Sequence, residues 1–309
     1  MALVRDGVAE QVVRRQLSGK KADVSGRLFE TGLLVTLLIS LLLLLALLIE
    51  VFDTGWGVIQ ERGSDFLTSN LSSLPSRAGV HQGIIGSLML MGFVVVLAFP
   101  LGIASAIYIE EYAPDNRFTR IINANIRNLA GVPSIVYGIL GVVIFVQLLQ
   151  PLTGGRSVIS GGVTMAILVL PIVIITAAEA LRAVPQSIRE AGFGVGATRW
   201  EVVRSHVLPY ASPGILTGTI LSLGRALGET APLLLIGSVT GFLSTGSGGW
   251  LEQLRGPYTA LPTTIFSWAR RSEAAFGNST AAAIIVLLAV LLVVNATAII
   301  LRGRYERKW

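Results

Sequence analysis

Cysteine is absent from this sequence of 309 residues, and histidine occurs only twice, as His81 and His206. The absence of cysteine excludes disulfides, thiolate metal sites and a cysteine nucleophile. Because the two histidines are far apart in sequence, neither a histidine metal centre nor a histidine proton relay is expected. The sequence also lacks the Gly-x-x-x-x-Gly-Lys-Ser/Thr loop that cradles nucleotide phosphates, so the chain does not bind ATP by that motif.

Charged residues are scarce as well. They make up 14% of the chain, against 52% hydrophobic residues, whereas a soluble domain carries about 25% charged residues. So few charges do not cover the surface of a soluble protein of this size, and the high hydrophobicity excludes a disordered chain. The composition therefore predicts an all-α integral membrane protein surrounded by membrane lipid.

Six segments are apolar over the roughly 20 residues that a helix needs to cross a membrane. They are residues 31–51, 84–109, 129–149, 161–181, 211–238 and 279–301. Most of the 24 Lys and Arg residues fall in the tails 1–30 and 302–309 and in the loops after the second and fourth spans. The positive-inside rule thus predicts a six-helix domain over 31–301 with both termini cytoplasmic. This distribution accounts for the net charge of +6, so no nucleic-acid partner is expected.

The segment between the fourth and fifth spans has the marks of a short exposed helix. Thr198 followed by Glu201 is a capping box, which predicts a helix start at that point. Trp200, Val203 and Val207 then share one face at helical spacing. Such an amphipathic helix fits a groove on a soluble partner; the alternative is that it lies flat on the inner leaflet.

This segment resembles the EAA loop of ABC importer permeases, in which Glu-Ala-Ala, Gly, Ile and Leu-Pro recur at fixed spacing. The residues in register are Glu190, Ala191, Gly196, Leu208 and Pro209. Two positions depart from the pattern, because Gly192 replaces the second Ala and His206 replaces the Ile. The resemblance implies a type I, MetI-like permease whose 190–209 loop sits on an ATP-binding subunit. The residues expected to make that contact are Glu190, Ala191, Gly196, Trp200, Val203 and Pro209.

Two charged residues, Arg225 and Glu229, lie inside the predicted fifth span. A charge at the bilayer centre costs about 2.5–3.5 kcal/mol, and a spacing of four residues places both side chains on one face of a helix. One interpretation is a structural ion pair that fixes helix packing. The other is a path for an anion, because the guanidinium fork matches phosphate or sulfate oxygens and Glu229 would hold that fork in place.

The segment Arg225-Ala226-Leu227-Gly228-Glu229-Thr230-Ala231-Pro232 is similar to the Arg-Ala-x-Gly-Glu-Thr-Ala-Pro signature of phosphate ABC transporter permeases. The segments 179–185 and 131–138 resemble the same family. The resemblance implies import of inorganic phosphate across the bacterial plasma membrane, with Arg225, Glu229 and Arg182 in the substrate pathway. For Arg182, the alternative is a membrane anchor paired with Glu179.

The same resemblance implies a complex with a homologous second permease subunit, two copies of an ATP-binding subunit and an extracytoplasmic phosphate-binding protein. The chain would then be no enzyme and would hold no cofactor itself, because ATP and its Mg²⁺ bind to the partner ATPase. Two other functions stay open at this point. They are a permease for sulfate, molybdate or phosphonate, and an anion transporter that works without ATP.

Residues that flank the spans have simpler interpretations. Glu110 and Glu111 follow the second span and are expected to form a solvated helix end. Trp250, Tyr258 and Trp268 lie in the last outer loop, and we expect them to anchor it at the bilayer interface. The alternative is that these aromatic side chains form a docking surface for an outer partner.

Overall fold

The computed structural model describes residues 24–238 and 249–305, and every regular element in these two ranges is helical. The first helix, α1, covers Val24–Thr68 and departs from helical dihedrals at Gly63, where φ is 46°. It begins within the predicted tail, of which residues 1–23 lie outside the described residues. The chain divides within α1 into two compact units, Met1–Glu50 and Val51–Trp309.

In the first unit, the described residues form the N-terminal part of α1. Nearly every side chain from Val24 to Glu50 is exposed, including the run of five leucines at 41–45. A helix that is apolar on all sides is stable only within a membrane or within a larger protein. This part of α1 is therefore a helix that needs lipid or another protein around it.

The second unit contains the remaining helices, which are numbered in chain order. They are α2 (His81–Tyr112), α3 (Arg117–Ala130), α4 (Ser134–Leu148), α5 (Gln150–Thr153), α6 (Val158–Arg182), α7 (Gln186–Gly194), α8 (199–228), α9 (Ala231–Ile236), α10 (Trp250–Arg255), α11 (Leu261–Ala269) and α12 (Ala274–Tyr305). Turns of π-helix occur within α2, α4 and α8. At the C-terminus, α12 extends into the predicted tail, and residues 306–309 lie outside the described residues.

Four helices among the described residues are long and apolar enough to cross a membrane: α1, α2, α6 and the Ala274–Ile300 part of α12. A fifth is added if α3 and α4, which are bent by 96° relative to each other, form one broken span. The helix within the predicted third span therefore starts at Ser134 rather than near residue 129. The chain turns before Ser134 because Pro133 has no N–H to continue a helix.

Helix α6 packs along both α2 and α8 at positions where one helix carries a small residue. Gly102 of α2 lies so close to α6 that an added methyl group would stand 2.7 Å from Val173 Cγ1. Gly214 of α8 makes a similar approach, 2.8 Å from Ala180 Cβ. Small residues at such crossings let membrane helices approach closely, and here they position α8 against the centre of the unit.

The segment after α10 folds back onto α2 and α12 instead of lying along an interface. Tyr258 is fully buried and Trp268 is 1% exposed, whereas Trp250 is 80% exposed. The indole of Trp268 packs between Phe66 and Phe276, with ring centroids 6.3 and 6.0 Å away. The prediction of interfacial anchors was therefore wrong for Tyr258 and Trp268, because a compact core holds both side chains.

Gly86 of α2 provides a test of this packing. A methyl group at Gly86 would overlap the carbonyl oxygen of Thr259, and overpacking costs about 2 kcal/mol. We expect Gly86→Ala to lower the melting temperature of the protein in detergent by about 5 °C or more. Tryptophan fluorescence during heating measures this temperature. Gly92→Ala is the matched control on the same helix, because nothing lies within 4 Å of a methyl there. Equal melting temperatures for the two variants would contradict the packing described here.

Candidate functional site

A tight glycine-containing turn joins α7 to α8. Gly196 has a φ of 81°, in the left-handed region that favours glycine, and its N–H donates to the carbonyl of Phe193 at 3.0 Å. Gly192 faces the start of α8, where an added methyl group would stand 2.7 Å from Val202 Cγ2. This close approach gives a physical reason for glycine at the position where the EAA pattern has its second alanine.

The predicted capping box at the start of α8 is confirmed. The backbone N–H of Glu201 donates to the Thr198 hydroxyl oxygen at 3.4 Å, and the backbone N–H of Thr198 donates to Glu201 Oε2 at 2.8 Å. The Thr198 hydroxyl also donates to the same carboxylate oxygen, at 2.8 Å. These bonds, the backbone one foremost, hold the pKa of Glu201 below its usual value.

Helix α8 does not end inside the loop, as a short helix would, but continues to Gly228. A π-helical turn at Val203–Val207 carries it past Pro209, and the N–H of Leu208 donates to the carbonyl of Val203. Because proline has no N–H, a wider turn at this point lets the helix continue without a break. The loop helix and the predicted fifth span are thus one rod, about 45 Å long at 1.5 Å per residue.

The three residues predicted to share one docking face differ in their exposure to solvent. Trp200 is 54% exposed, whereas Val203 is 1% exposed and Val207 is fully buried. Val207 packs with Leu181 and Val184 at the end of α6. The prediction of a docking contact was therefore wrong for Val203, whose side chain is already covered by its own chain.

Several residues of the loop are nevertheless exposed, and we call this set of residues the loop tip. Its predicted members that are exposed are Glu190, Ala191, Gly196, Trp200 and Pro209. Sequence reasoning did not single out Phe193 and Val195, which are 46% and 84% exposed. The available signal was the presence of large apolar residues within a glycine-rich turn, where a soluble loop carries polar ones.

Arg225 and Glu229 come together at the other end of α8. Arg225 Nε lies 3.6 Å from Glu229 Oε1, with the Arg225 side chain 58% exposed and that of Glu229 16% exposed. The helix ends at Gly228, and Glu229 has an extended backbone with ψ of 121°. The predicted continuous helix 211–238 is thus broken between these charges and α9, which corrects the view of both residues as lying inside one helix.

The break brings together two segments that are far apart in sequence. Pro232 at the start of α9 lies against Gly138 of α4, where an added methyl group would stand 2.7 Å from the Cα of Pro232. Close by, the Tyr137 hydroxyl donates to the carbonyl of Leu129 across the bend between α3 and α4, at 2.9 Å. The motifs 131–138 and 225–232 therefore form one structural unit around the break.

Arg182 lies away from this pair, at the loop end of α6. Ala180 of α6 is beside Gly214 of α8, and Arg225 lies about three helical turns further along α8. Arg182 forms a salt bridge with Glu110, whose Oε2 accepts from Arg182 Nε at 3.3 Å. The hydrogen-bonded partner is thus Glu110 rather than Glu179, and the Arg182 side chain remains 53% exposed.

Glu110 and Glu111 do not form a solvated helix end, which corrects the prediction for both. Glu111 is buried, with a side chain 7% exposed, and pairs with Arg189 of α7 at 2.7 Å. Arg189 is itself only 14% exposed. Sequence spacing could not reveal this pair because Glu111 and Arg189 are 78 residues apart in the chain.

The comparisons with known proteins decide the family. Residues 98–309 match the family described as "Binding-protein-dependent transport system inner membrane component". The chain belongs to this family. Its members are ABC transporter permeases, which are non-catalytic membrane subunits, and the apolar helices of the second unit agree with a multi-pass membrane protein.

Two relatives of this permease illustrate the similarity. The "Phosphate transport system permease protein PstA 1" of Mycobacterium tuberculosis (strain ATCC 25618 / H37Rv) is 30% identical over 300 residues, which cover 96% of this chain and 93% of that protein. The "Probable ABC transporter permease protein YqgI" of Bacillus subtilis (strain 168) is 32% identical over 183 residues. That alignment covers 59% of this chain and 61% of the relative.

The fold is shared with solved ABC importers. The permease of a bacterial alginate ABC transporter, solved with an alginate pentasaccharide-bound periplasmic protein, aligns with a TM-score of 0.63. The match covers 88% of this chain and 92% of that one at 17% identity. This permease therefore has the all-helical, MetI-like importer fold.

Proposed function

We propose that this permease moves inorganic phosphate into a bacterial cell, driven by separate ATPase subunits. One observation carries the proposal: the helix that begins at the exposed loop tip ends at the Arg225–Glu229 pair. Helix α8 would thereby join an ATPase contact at its loop end to an anion site at its other end. The phosphate transport name of the mycobacterial relative supports this choice of substrate.

The membrane topology is part of the proposal. Six spans result if α3 and α4 count as one broken span and α8 with α9 as another. The packing of Gly214 on α6 and of Gly224 against Leu291 of α12 supports α8 as a span. With an even number of spans, and with the basic residues distributed as they are, both termini and the loop tip face the cytoplasm of the bacterial plasma membrane.

Arg225 supplies the group that an anion needs. The Arg225 side chain is 58% exposed, and its Nε lies 3.6 Å from Glu229 Oε1, so its other donors can still reach a passing ligand. The planar fork matches two oxygens of a phosphate. Glu229 orients the fork, reduces the net positive potential so that the anion is not trapped, and can accept a hydrogen bond from a protonated phosphate.

Arg182 extends the pathway toward the loop end of the permease. It is half-exposed and is held by Glu110. An anion that leaves the Arg225 region would exchange with Glu110 on the Arg182 guanidinium. The two arginines would thus serve successive parts of the path rather than one binding site.

The loop tip would dock on the ATP-binding subunits. Exposed Trp200, Phe193 and Val195 form the kind of aromatic and apolar anchor that fills a groove on a partner. Two copies of an ATPase, a homologous second permease and an external phosphate-binding protein would complete the complex. Closure of the ATPases around ATP and Mg²⁺ would move the loop tip, tilt α8 and change the side to which Arg225 is accessible.

Uptake of labelled phosphate into vesicles that hold the reconstituted complex tests this function. We expect phosphate uptake to require ATP on the side of the vesicle membrane where the ATPase subunits are bound. Excess sulfate should not reduce this uptake. Competition by sulfate, or an active ATPase without any phosphate uptake, would move the substrate to another oxyanion. Uptake without ATP would instead favour an ATP-independent anion transporter.

A further inference from the structure

Three consecutive residues at the end of α2 contact three arginines of the loop region. Glu110 pairs with Arg182 at the end of α6, and Glu111 pairs with Arg189 of α7. The next residue, Tyr112, lies under the guanidinium of Arg199 at the start of α8, 5.7 Å from its ring centroid. The end of α2 thus contacts all three helices that meet at the loop.

The Glu111–Arg189 pair is the most buried of these contacts. Arg189 donates through Nη2 and Nε to Glu111 Oε1, at 2.7 and 3.2 Å. It also donates to the carbonyls of Leu181 and Val184, at 2.9 and 2.7 Å. One side chain therefore joins α7 to the ends of both α2 and α6, and a partly buried pair with this many bonds is costly to break.

The local geometry of α2 makes this triple contact possible. Its last turn, Tyr108–Tyr112, is π-helical, a form that is frequent at functional sites within longer helices. Asp115, three residues beyond the helix, differs from the two glutamates. Its ion-pair partner among the described residues is Arg120, at 3.3 Å, and the Asp115 and Arg120 side chains are 89% and 71% exposed.

The opposite end of α2 is fixed to the segment around α11. Ser87 Oγ accepts from the backbone N–H of Leu261 at 2.9 Å. Gly86 lies directly against the Thr259 carbonyl, and Gly83 lies against Leu261 and Thr264. Helix α2 therefore bridges the loop region and the segment 259–264.

We infer that Glu111 and Arg189 are positioning residues that make α2 a connecting rod between the loop and the segment 259–264 on the opposite side. This inference rests on the proposed function, in which ATP moves the loop. The rod links the ATPase contact to the face that an external binding protein approaches. The two residues contact neither substrate nor ATPase and act through the position of α2.

The ratio of phosphate imported to ATP hydrolysed, measured in the reconstituted complex, tests this role. We expect Glu111→Gln to lower that ratio by about tenfold, a typical size for an allosteric coupling, and to abolish stimulation of the ATPase by the binding protein. Asp115→Asn removes the same charge from an exposed pair and should leave the ratio unchanged. An unchanged ratio for Glu111→Gln in an assembled complex would overturn the inference.

A second variant covers the case in which Glu111→Gln prevents assembly. Replacing both partners, Glu111→Leu with Arg189→Met, removes the unpaired buried charge and should restore folding. If the pair only stabilises the fold, this double variant regains normal coupling, which would overturn the inference. If the pair positions α2, the double variant assembles but remains uncoupled.

Distances between spin labels separate this inference from the function on which it rests. The chain has no cysteine, so pairs of labels can be introduced at exposed Tyr108, Ser187 and Leu292. We expect the Ser187–Leu292 distance to change when ATP is trapped in the complex, whereas the Tyr108–Ser187 distance should stay constant. In the Glu111→Gln variant, the Tyr108–Ser187 distance should become variable. A constant Ser187–Leu292 distance would overturn both proposals. A Tyr108–Ser187 distance that changes in the unmodified pair would overturn the connecting rod alone.

Discussion

Replacing Arg225 by glutamine is expected to reduce ATP-driven phosphate uptake by roughly a hundredfold, because a hydrogen bond to a charged group contributes up to about 3 kcal/mol. Glutamine keeps much of the length of the side chain but loses the charge and the fork of donors. The end of α8 is closed by a backbone bond, from the N–H of Glu229 to the carbonyl of Ala226, so α8 should still form. Uptake of labelled phosphate, with copurification of all subunits, measures the effect.

Two further variants sharpen the Arg225 experiment. Arg225→Lys keeps the charge but not the fork and should recover only part of the uptake, which identifies geometry as the requirement. Arg120→Gln removes an exposed guanidinium and should leave uptake unchanged. If an assembled Arg225→Gln complex transports within twofold of the unmodified one, Arg225 is a packing residue and the pathway proposed for it is wrong.

Introducing a charge at the loop tip should have the second large effect. Trp200→Asp is expected to weaken binding of the ATP-binding subunit by roughly thirtyfold or more, since loss of a hot-spot tryptophan costs at least about 2 kcal/mol. Trp200 is half-exposed, so the substitution should not disturb the fold of the permease itself. The amount of ATPase that copurifies with the permease, and its affinity for the purified permease, measure the effect.

Trp250→Asp is the matched control for that experiment. Trp250 is more exposed than Trp200 but, in the proposed topology, lies on the opposite side of the membrane. The Trp250→Asp substitution should therefore leave binding of the ATP-binding subunit unchanged. Normal assembly and normal uptake with Trp200→Asp would contradict the coupling role of the loop tip, and equal losses from both substitutions would contradict the proposed sidedness.

Much of the fold could be predicted because the information is local. The second and fourth apolar segments agree with α2 and α6 to within a few residues, since a run of apolar residues long enough to span a bilayer is stable only as a helix. The capping box at Thr198 was predictable for the same reason, because its two partners are three residues apart. The family was likewise predictable from short motifs at fixed spacing.

The errors concern contacts between distant parts of the chain. Helical spacing placed Val203 on the same face as Trp200, but in the fold Val203 is buried whereas Trp200 is half-exposed. Glu111 looked like the end of a helix in solvent until the fold placed Arg189 beside it. In each case the burial of a residue depended on a partner that the local sequence does not contain.

The sequence by itself determined that this chain is a helical membrane protein, that a capped helix starts at Thr198 and that a charged pair lies near the end of its fifth apolar segment. Only the tertiary structure decided that α8 runs without a break from the loop tip to Arg225 and that the two ends of α2 contact the loop region and the segment 259–264. The physical reason is that helix formation depends on neighbouring residues, whereas helix breaks, close glycine contacts and buried ion pairs depend on residues that folding alone brings together.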